Sequence, residues 1–248
     1  MFFAFGCTNQ VYDVTVLNDG RVEFSETIAI DMDILAKLNE KDIKFGEIYK
    51  QNKNSTDDIE KLHPLFQETA WQFSNKDFTI EPIEDSVQVG FKANKEYPNI
   101  DAFNKDLHSL YESGLSKLRV QINHQKNILK EMYTVSGDFE FFKDPEFKAS
   151  EEEIESLRAI INNPTISAKL NVKTPGKLRE TNGEIANGKA TFTANYDSKT
   201  PIKIKLVSGE ESEKAETLAI AGVIFAVILI IFLIFKNYRK IKFIIFRK

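Results

Sequence analysis

Apolar and polar side chains alternate along much of the first 207 residues, a pattern that predicts β-strands with one buried face. The alternation over residues 12–16 and 22–30 flanks the turn Asn18-Asp19-Gly20. A period of two on both sides of an Asp-Gly turn predicts a hairpin. The same period recurs at 78–91, 166–172, 190–196 and 202–206. Strands of this kind are typical of antiparallel sheets, whose second face can remain in water.

Three segments change to the helical period. Apolar residues recur at spacings of three and four from Ile100 to Leu118, after Asn99 as a candidate N-cap. A second apolar stripe covers 59–73, where Pro64 must either kink the helix or open it at its first turn. Residues 150–153 resemble a capping box that starts a short helix up to position 161. We therefore predict an α+β fold, an antiparallel sheet with two or three packed helices.

The C-terminal part of the chain contains an uninterrupted apolar run over residues 218–235, followed by six bases and no acid. As a helix, this run would be about 27 Å long, close to a hydrocarbon core about 30 Å thick. We therefore predict a transmembrane helix at 217–235, a charged linker at 208–216 and a basic cytoplasmic tail at 236–248. The alternative interpretation of this apolar run is a buried helix in the core of a globular domain. The expected location is a bacterial cell membrane, crossed once, with the domain at 8–207 extracytoplasmic.

The N-terminus contains the one cysteine of the chain, Cys7. Ala4-Phe5-Gly6-Cys7 resembles the end of a bacterial lipobox, although residues 1–7 lack the basic and long apolar regions of a signal peptide. Our hypothesis is that Met1 is an internal start, that residues 1–7 are the remnant of a signal peptide and lipobox, and that Cys7 is lipidated. A chance cysteine in a disordered end and a buried thiol are the alternatives. A single cysteine excludes an intramolecular disulfide.

Charge and motifs argue against several function classes. The net charge is −4, and six of the 33 basic residues lie in the tail, so the remainder is acidic and disfavours nucleic acid. His63, His108 and His124 lack metal-ligand spacing. Asp31-Met32-Asp33 lacks the further ligands of a calcium loop, so a helix N-terminus is the preferred interpretation. No nucleophile elbow or phosphate-binding glycine loop occurs. We therefore predict no catalytic residues, no metal, no cofactor and no enzymatic activity.

Aromatic residues leave two interpretations open. A fold of this size would bury much bulky apolar surface with the seven side chains Phe66, Trp71, Phe73, Phe103, Phe139, Phe141 and Phe142. The first interpretation is an ordinary filled core. The second is an apolar cavity between a curved sheet and its helices, wide enough for an acyl chain.

Both ends of the domain contain a strand beside a characteristic turn. Residues 11–16 and the turn Asn18-Asp19-Gly20 are similar to the opening strand and turn of the LppM-like family of bacterial lipoproteins. Residues 170–176, with Pro175-Gly176, and then Thr181-Asn182-Gly183 are similar to its late signature, although Phe192 stands where members often carry Trp. The resemblance implies an exported α+β domain without a catalytic set, and some members look like binders of membrane lipids or lipoglycans.

Two functions are therefore expected from the sequence. The first is a membrane-anchored module that binds or senses a membrane lipid or lipoglycan, attached to the bilayer through 217–235 and a lipidated Cys7. The alternative is a protein-interaction or assembly factor of the cell envelope without a lipid pocket, whose protein partner is unknown. An apolar void of hundreds of Å³ would favour the first, and a filled interior the second.

Overall fold

Two β-sheets and the helices between their strands form the domain. The computed structural model describes residues 9–40, 57–127, 130–139, 167–195, 200–211 and 220–233. The strands are β1 (Asn9–Val16), β2 (Val22–Asp31), β3 (Thr79–Glu84), β4 (Gln88–Tyr97), β5 (Leu118–Lys126), β6 (Lys130–Phe139), β7 (Ser167–Lys173), β8 (Lys177–Thr181), β9 (Glu184–Ala186), β10 (Lys189–Asn195) and β11 (Ile202–Glu211). The helices are α1 (Met32–Glu40), α2 (Asp57–Glu60), α3 (Pro64–Ser74) and α4 (Ile100–Glu112).

The larger sheet, sheet A, has the strand order β3-β4-β2-β1-β7-β10-β9 among the described residues. The predicted hairpin is confirmed: β1 and β2 pair antiparallel from Asn9↔Ala29 to Val16↔Val22. Gly20 in its turn has φ +88°, a conformation that glycine adopts without a steric penalty.

One pairing of sheet A corrects the prediction of an antiparallel sheet. Strand β7 lies parallel to β1, with Tyr12 opposite Leu170, so sheet A is mixed. The alternation of apolar residues reports which face of a strand is buried, but it carries no information on the direction of the neighbouring strand. The direction of β7 therefore could not be derived from its sequence.

The smaller sheet, sheet B, has the order β5-β6-β11-β8 and was not expected as a separate sheet. Its strands β5 and β6 form an antiparallel hairpin in continuous register from Leu118↔Phe139 to Lys126↔Glu131. The fold is thus α+β with two sheets, where the sequence predicted one. Strand β11 runs to Glu211 and occupies the beginning of the stretch for which a linker was predicted.

Helices α3 and α4 begin at start signals that the sequence contains. The Asn99 side chain accepts a hydrogen bond from Ala102 N–H at 2.8 Å and caps α4. This helix ends at Glu112, before the predicted Leu118, because Gly114 turns the chain at φ +73°. Pro64 opens α3 at its first turn, the second of its two predicted roles. The short helix predicted at 150–161 lies outside the described residues.

Interlocking aromatic side chains fill the space between sheet A and helices α3 and α4. Phe103 of α4 lies 5.9 Å from Phe24 and 5.4 Å from Tyr97, measured between ring centroids. Phe73 of α3 contacts Phe78 at 5.1 Å in an edge-on geometry. Such contacts are typical of a well-packed interior, so these aromatic residues form core, as the first interpretation expected.

The remaining aromatic candidates divide between the core and the parts of the chain outside the description. Phe66 and Phe139 are fully buried, and Trp71 is half-buried. Phe141 and Phe142 lie outside the described residues, as does Cys7. The interior described here therefore offers no support for an acyl cavity beneath sheet A.

The C-terminal prediction is wrong. In the described ranges, no helix combines the length and the apolar composition that crossing a membrane requires. The predicted transmembrane helix at 217–235 and the single-pass membrane location are both contradicted by this finding. An apolar run in a sequence measures hydropathy, whereas a span also depends on the length of the helix.

Candidate functional site

A cleft of about 550 Å³ lies between helix α4 and the hairpin β5–β6 of sheet B. Ten residues line it, four from the helix and six from the hairpin: Asn104, Lys105, Leu107, His108, Leu118, Arg119, Val120, Gln121, Ser136 and Gly137. This volume lies within the range of about 300–1,000 Å³ that is typical of small-molecule sites. The cleft is therefore the candidate functional site.

The cleft has an apolar floor and a polar rim. Leu107, Leu118 and Val120 are buried, because α4 turns one apolar stripe inward and β5 alternates buried and exposed positions. Lys105 and His108 on α4 and Gln121 on β5 are exposed. An apolar floor beside cationic and hydrogen-bonding groups suits a ligand with an apolar part and an anionic or polar part.

Asn104 joins α4 to the outer edge of sheet B. Its Nδ2 donates to the Ile122 carbonyl at 2.8 Å, and its Oδ1 accepts from the Ile122 N–H at 3.0 Å. Because β5 is the last strand in the order of sheet B, the asparagine amide takes the position that another strand's peptide group would occupy. These two hydrogen bonds fix one end of the cleft.

Arg119 is held at the rim by a carboxylate. Its Nε donates to Asp138 Oδ1 at 3.0 Å and its Nη2 to Oδ2 at 2.8 Å, while the guanidinium carbon lies 5.5 Å from the Tyr111 ring centroid. Lys203 Nζ reaches the same Oδ2 at 2.9 Å. Arg119 and then Lys203 hold the pKa of Asp138 below its usual value. Asp138 thus neutralises part of this positive charge, whereas Lys105 has no ion-pair partner among the described residues.

Of the three histidines considered in the sequence, only His108 lines the cleft. His63 caps α3, where its Nδ1 accepts from Leu65 N–H at 3.3 Å, and burial lowers its pKa. The His124 ring stacks on Tyr133 at a centroid distance of 4.4 Å, and its Nε2 lies 2.8 Å from Glu131 Oε1. Asp31 ends β2, and Met32 and Asp33 begin α1, which is the helix N-terminus expected there. Within the described ranges, no three His, Cys, Asp or Glu side chains come together as metal ligands.

A buried carboxyl group lies outside the cleft. Glu26 of β2 is fully buried, and its Oε1 accepts from Gln10 Nε2 at 2.8 Å. Burial raises the pKa of Glu26 to about 8, against the opposing effect of the Gln10, Ser116 and Tyr12 side chains. In the described part of the chain, Glu26 Oε2 has no hydrogen-bond partner. Glu26 therefore affects the stability of the fold rather than the chemistry of the cleft.

Sequence reasoning missed the cleft because it missed the hairpin that forms one wall. Leu118, Val120 and Ile122 alternate with polar residues, which is the pattern of a strand, but the apolar spacing of α4 also continues as far as Leu118. Gly114, between the two periods, marks the boundary. Cys7, the lipidation site expected from the sequence, lies outside the described residues.

Comparison with known proteins adds one likeness in structure. No protein-family model matches the chain, and no curated protein matches its sequence. The NMR structure of the folded domain of Mycobacterium tuberculosis LppM is similar with a TM-score of 0.42 and 10% identity, over 87% of this chain and 96% of that one. This likeness is too low to assign a family or a function to this chain.

Proposed function

We propose that this chain is a binding module for an anionic membrane lipid, whose acyl chain lies in the α4–β5 cleft. The observation that carries the proposal is the cleft itself, about 550 Å³ in volume with Leu107, Leu118 and Val120 on its floor. Burial of an acyl chain against such a floor contributes about 0.8 kcal/mol per methylene. Lys105 at the rim supplies positive charge for the anionic group, and His108 beside it supplies a polar ring.

The module is proposed to bind rather than to catalyse. Two hydrogen bonds to Asp138 hold the Arg119 guanidinium in place, which favours a role in binding. A lipid or lipoglycan of a bacterial envelope is the proposed source of the ligand. Hydrolysis of a nitrophenyl ester by the purified protein, abolished in Ser136→Ala, would contradict the assignment as a pure binder.

The experiment is lipid mass spectrometry of the protein purified from a bacterial host. Ser136 is exposed and lines the cleft, so Ser136→Trp would fill the space without touching the core. Thr193→Trp is the matched control, because Thr193 is an exposed position on β10 of sheet A. We expect near-stoichiometric lipid with the wild type and with Thr193→Trp, and at least a fivefold loss with Ser136→Trp. Equal lipid content in all three proteins would contradict the proposal.

A second candidate, a protein-interaction factor, is favoured by an edge of sheet A against which no further strand lies among the described residues. Strand β9 ends the strand order of that sheet, and its Ile185 side chain is 63% exposed. Exposed sheet edges can pair with a strand of another protein. Crosslinking in cells would test this candidate, since Ile185→Lys should remove a crosslinked partner that Ser136→Trp retains.

A further inference from the structure

The outer edge of strand β5 presents peptide groups to the cleft. In an antiparallel pair, residues two apart direct their N–H and C=O groups to the same side. Ile122 directs both groups away from β6, toward the Asn104 side chain. The register of β5 and β6 is continuous, so Val120, opposite Gly137, directs its own N–H and C=O toward the same side.

The edge at Val120 differs from the edge on either side of it. The Asn104 side chain forms hydrogen bonds with both backbone groups of Ile122, and the N–H of Leu118 donates to Ser116 Oγ at 3.3 Å. In the part of the chain that the structure describes, no side chain and no further strand pairs with the peptide groups of Val120. Val120 lines the cleft, and its side chain is 7% exposed. A peptide edge in such a place favours a ligand that both donates and accepts a hydrogen bond.

Three features of the cleft therefore select three parts of a ligand. The apolar floor takes an alkyl chain, and the peptide edge at Val120 takes an N–H donor and an oxygen acceptor that face the same side, as the N–H and the carboxylate of one extended amino acid do. Lys105 follows Asn104 directly on the exposed side of α4 and takes an anion at the rim. Asn104 itself shows how an amide fits this edge, since it binds both backbone groups of Ile122.

We propose that the cleft binds an N-acylated amino acid, whose amide N–H donates to the Val120 carbonyl and whose carboxylate accepts from the Val120 N–H beside Lys105. This inference rests on the proposed function, because it specifies the chemistry of the lipid in the same cleft. The inference predicts that a ligand with an amide N–H binds more tightly than a ligand that has only the same acyl chain and the same negative charge.

The experiment compares two amphiphiles that differ in one atom. N-lauroylglycine and O-lauroylglycolate have the same chain and the same carboxylate, but the second replaces the amide N–H by an ester oxygen. Dissociation constants are measured by calorimetry on the full chain, below the micelle concentration of each probe. We expect about tenfold tighter binding of N-lauroylglycine, because the ester leaves the Val120 carbonyl without a donor. The amide proton of Val120 should also move downfield in the NMR spectrum.

Variants test the charge separately. Lys105→Gln should weaken the binding of both probes severalfold, whereas Lys173→Gln, an exposed lysine of β7, should leave it unchanged. Equal binding of the two probes would overturn the amide inference while the proposed function stands. Equal effects of the two lysine variants would overturn the role of Lys105. No binding of either probe, together with a lipid-free purified protein, would refute the proposed function itself.

Discussion

Glu26 makes the stability of this protein depend on pH in an unusual direction. Its pKa rises from 4.5 to about 8 on folding, because β2 places the carboxyl group in the core beside Gln10 of β1. Between these two values the folded state keeps a proton that the unfolded state has released. The free energy of unfolding therefore falls as the pH rises from about 4.5, and this loss levels off above about 8.

The size of the effect follows from the shift. Each unit of pKa difference corresponds to about 1.4 kcal/mol, so the contribution of Glu26 changes by roughly 2.5 kcal/mol between pH 5 and pH 7. Glu26→Gln replaces the protonated carboxyl by a neutral group of the same shape and removes this dependence. The variant should match the wild type to within about 1 kcal/mol at pH 5 and exceed its stability by about 2–3 kcal/mol at pH 7.

Urea unfolding at pH 5, 6, 7 and 8 measures the prediction. Glu23→Gln is the matched control, since Glu23 lies on the same strand with its side chain exposed, and its curve should run parallel to that of the wild type. The difference between Glu26→Gln and the wild type should grow with pH. A constant difference between them over this range would refute the reasoning, because Glu26 would then be ionised, or neutral, in both states.

Three further perturbations test the packing around the cleft and the turn of the first hairpin. Asn104→Ala removes both hydrogen bonds to Ile122 and should lower the free energy of unfolding by roughly 1–3 kcal/mol, whereas Glu112→Ala on the exposed side of α4 should change it by less than about 0.5 kcal/mol in the same urea titration. Phe103→Ala removes the ring that contacts Phe24 and Tyr97, and it should lower the free energy of unfolding in the same titration by about 3–5 kcal/mol. A loss below about 1 kcal/mol would mean that this ring is not part of the core. Gly20→Ala places a side chain at φ +88° with open space around it, so calorimetry should show a destabilisation of about 1 kcal/mol caused by backbone strain alone, and an unchanged melting temperature would contradict that conformation.

The elements with local signals could be predicted from the sequence. The Asp-Gly turn determined the β1–β2 hairpin, Asn99 marked the start of α4, and Pro64 marked that of α3. Each of these signals acts within a few residues, through a cap, a turn or a fixed φ angle. Such effects do not depend on the rest of the fold.

Features that depend on distant parts of the chain could not be predicted. The parallel pairing of β1 with β7 joins Tyr12 to Leu170, and the separation of sheet B from sheet A is likewise decided by long-range packing. The cleft arises where α4 meets the edge of β5, so neither segment alone indicates it. At the C-terminus, hydropathy alone predicted a membrane span, and the structure contradicts it.

The most direct test of the account is a map of where an acyl ligand contacts the protein. Backbone amide shifts of the labelled full chain would be followed in solution as N-lauroylglycine is added. If the ligand binds in the cleft, we expect saturable shifts at Val120 and Gln121 of β5, at Ser136 and Gly137 of β6, and at His108 of α4. Ser136→Trp should abolish these shifts. Shifts confined to sheet A or to residues 220–233, with β5 and β6 unaffected, would contradict the assignment of the cleft as the binding site.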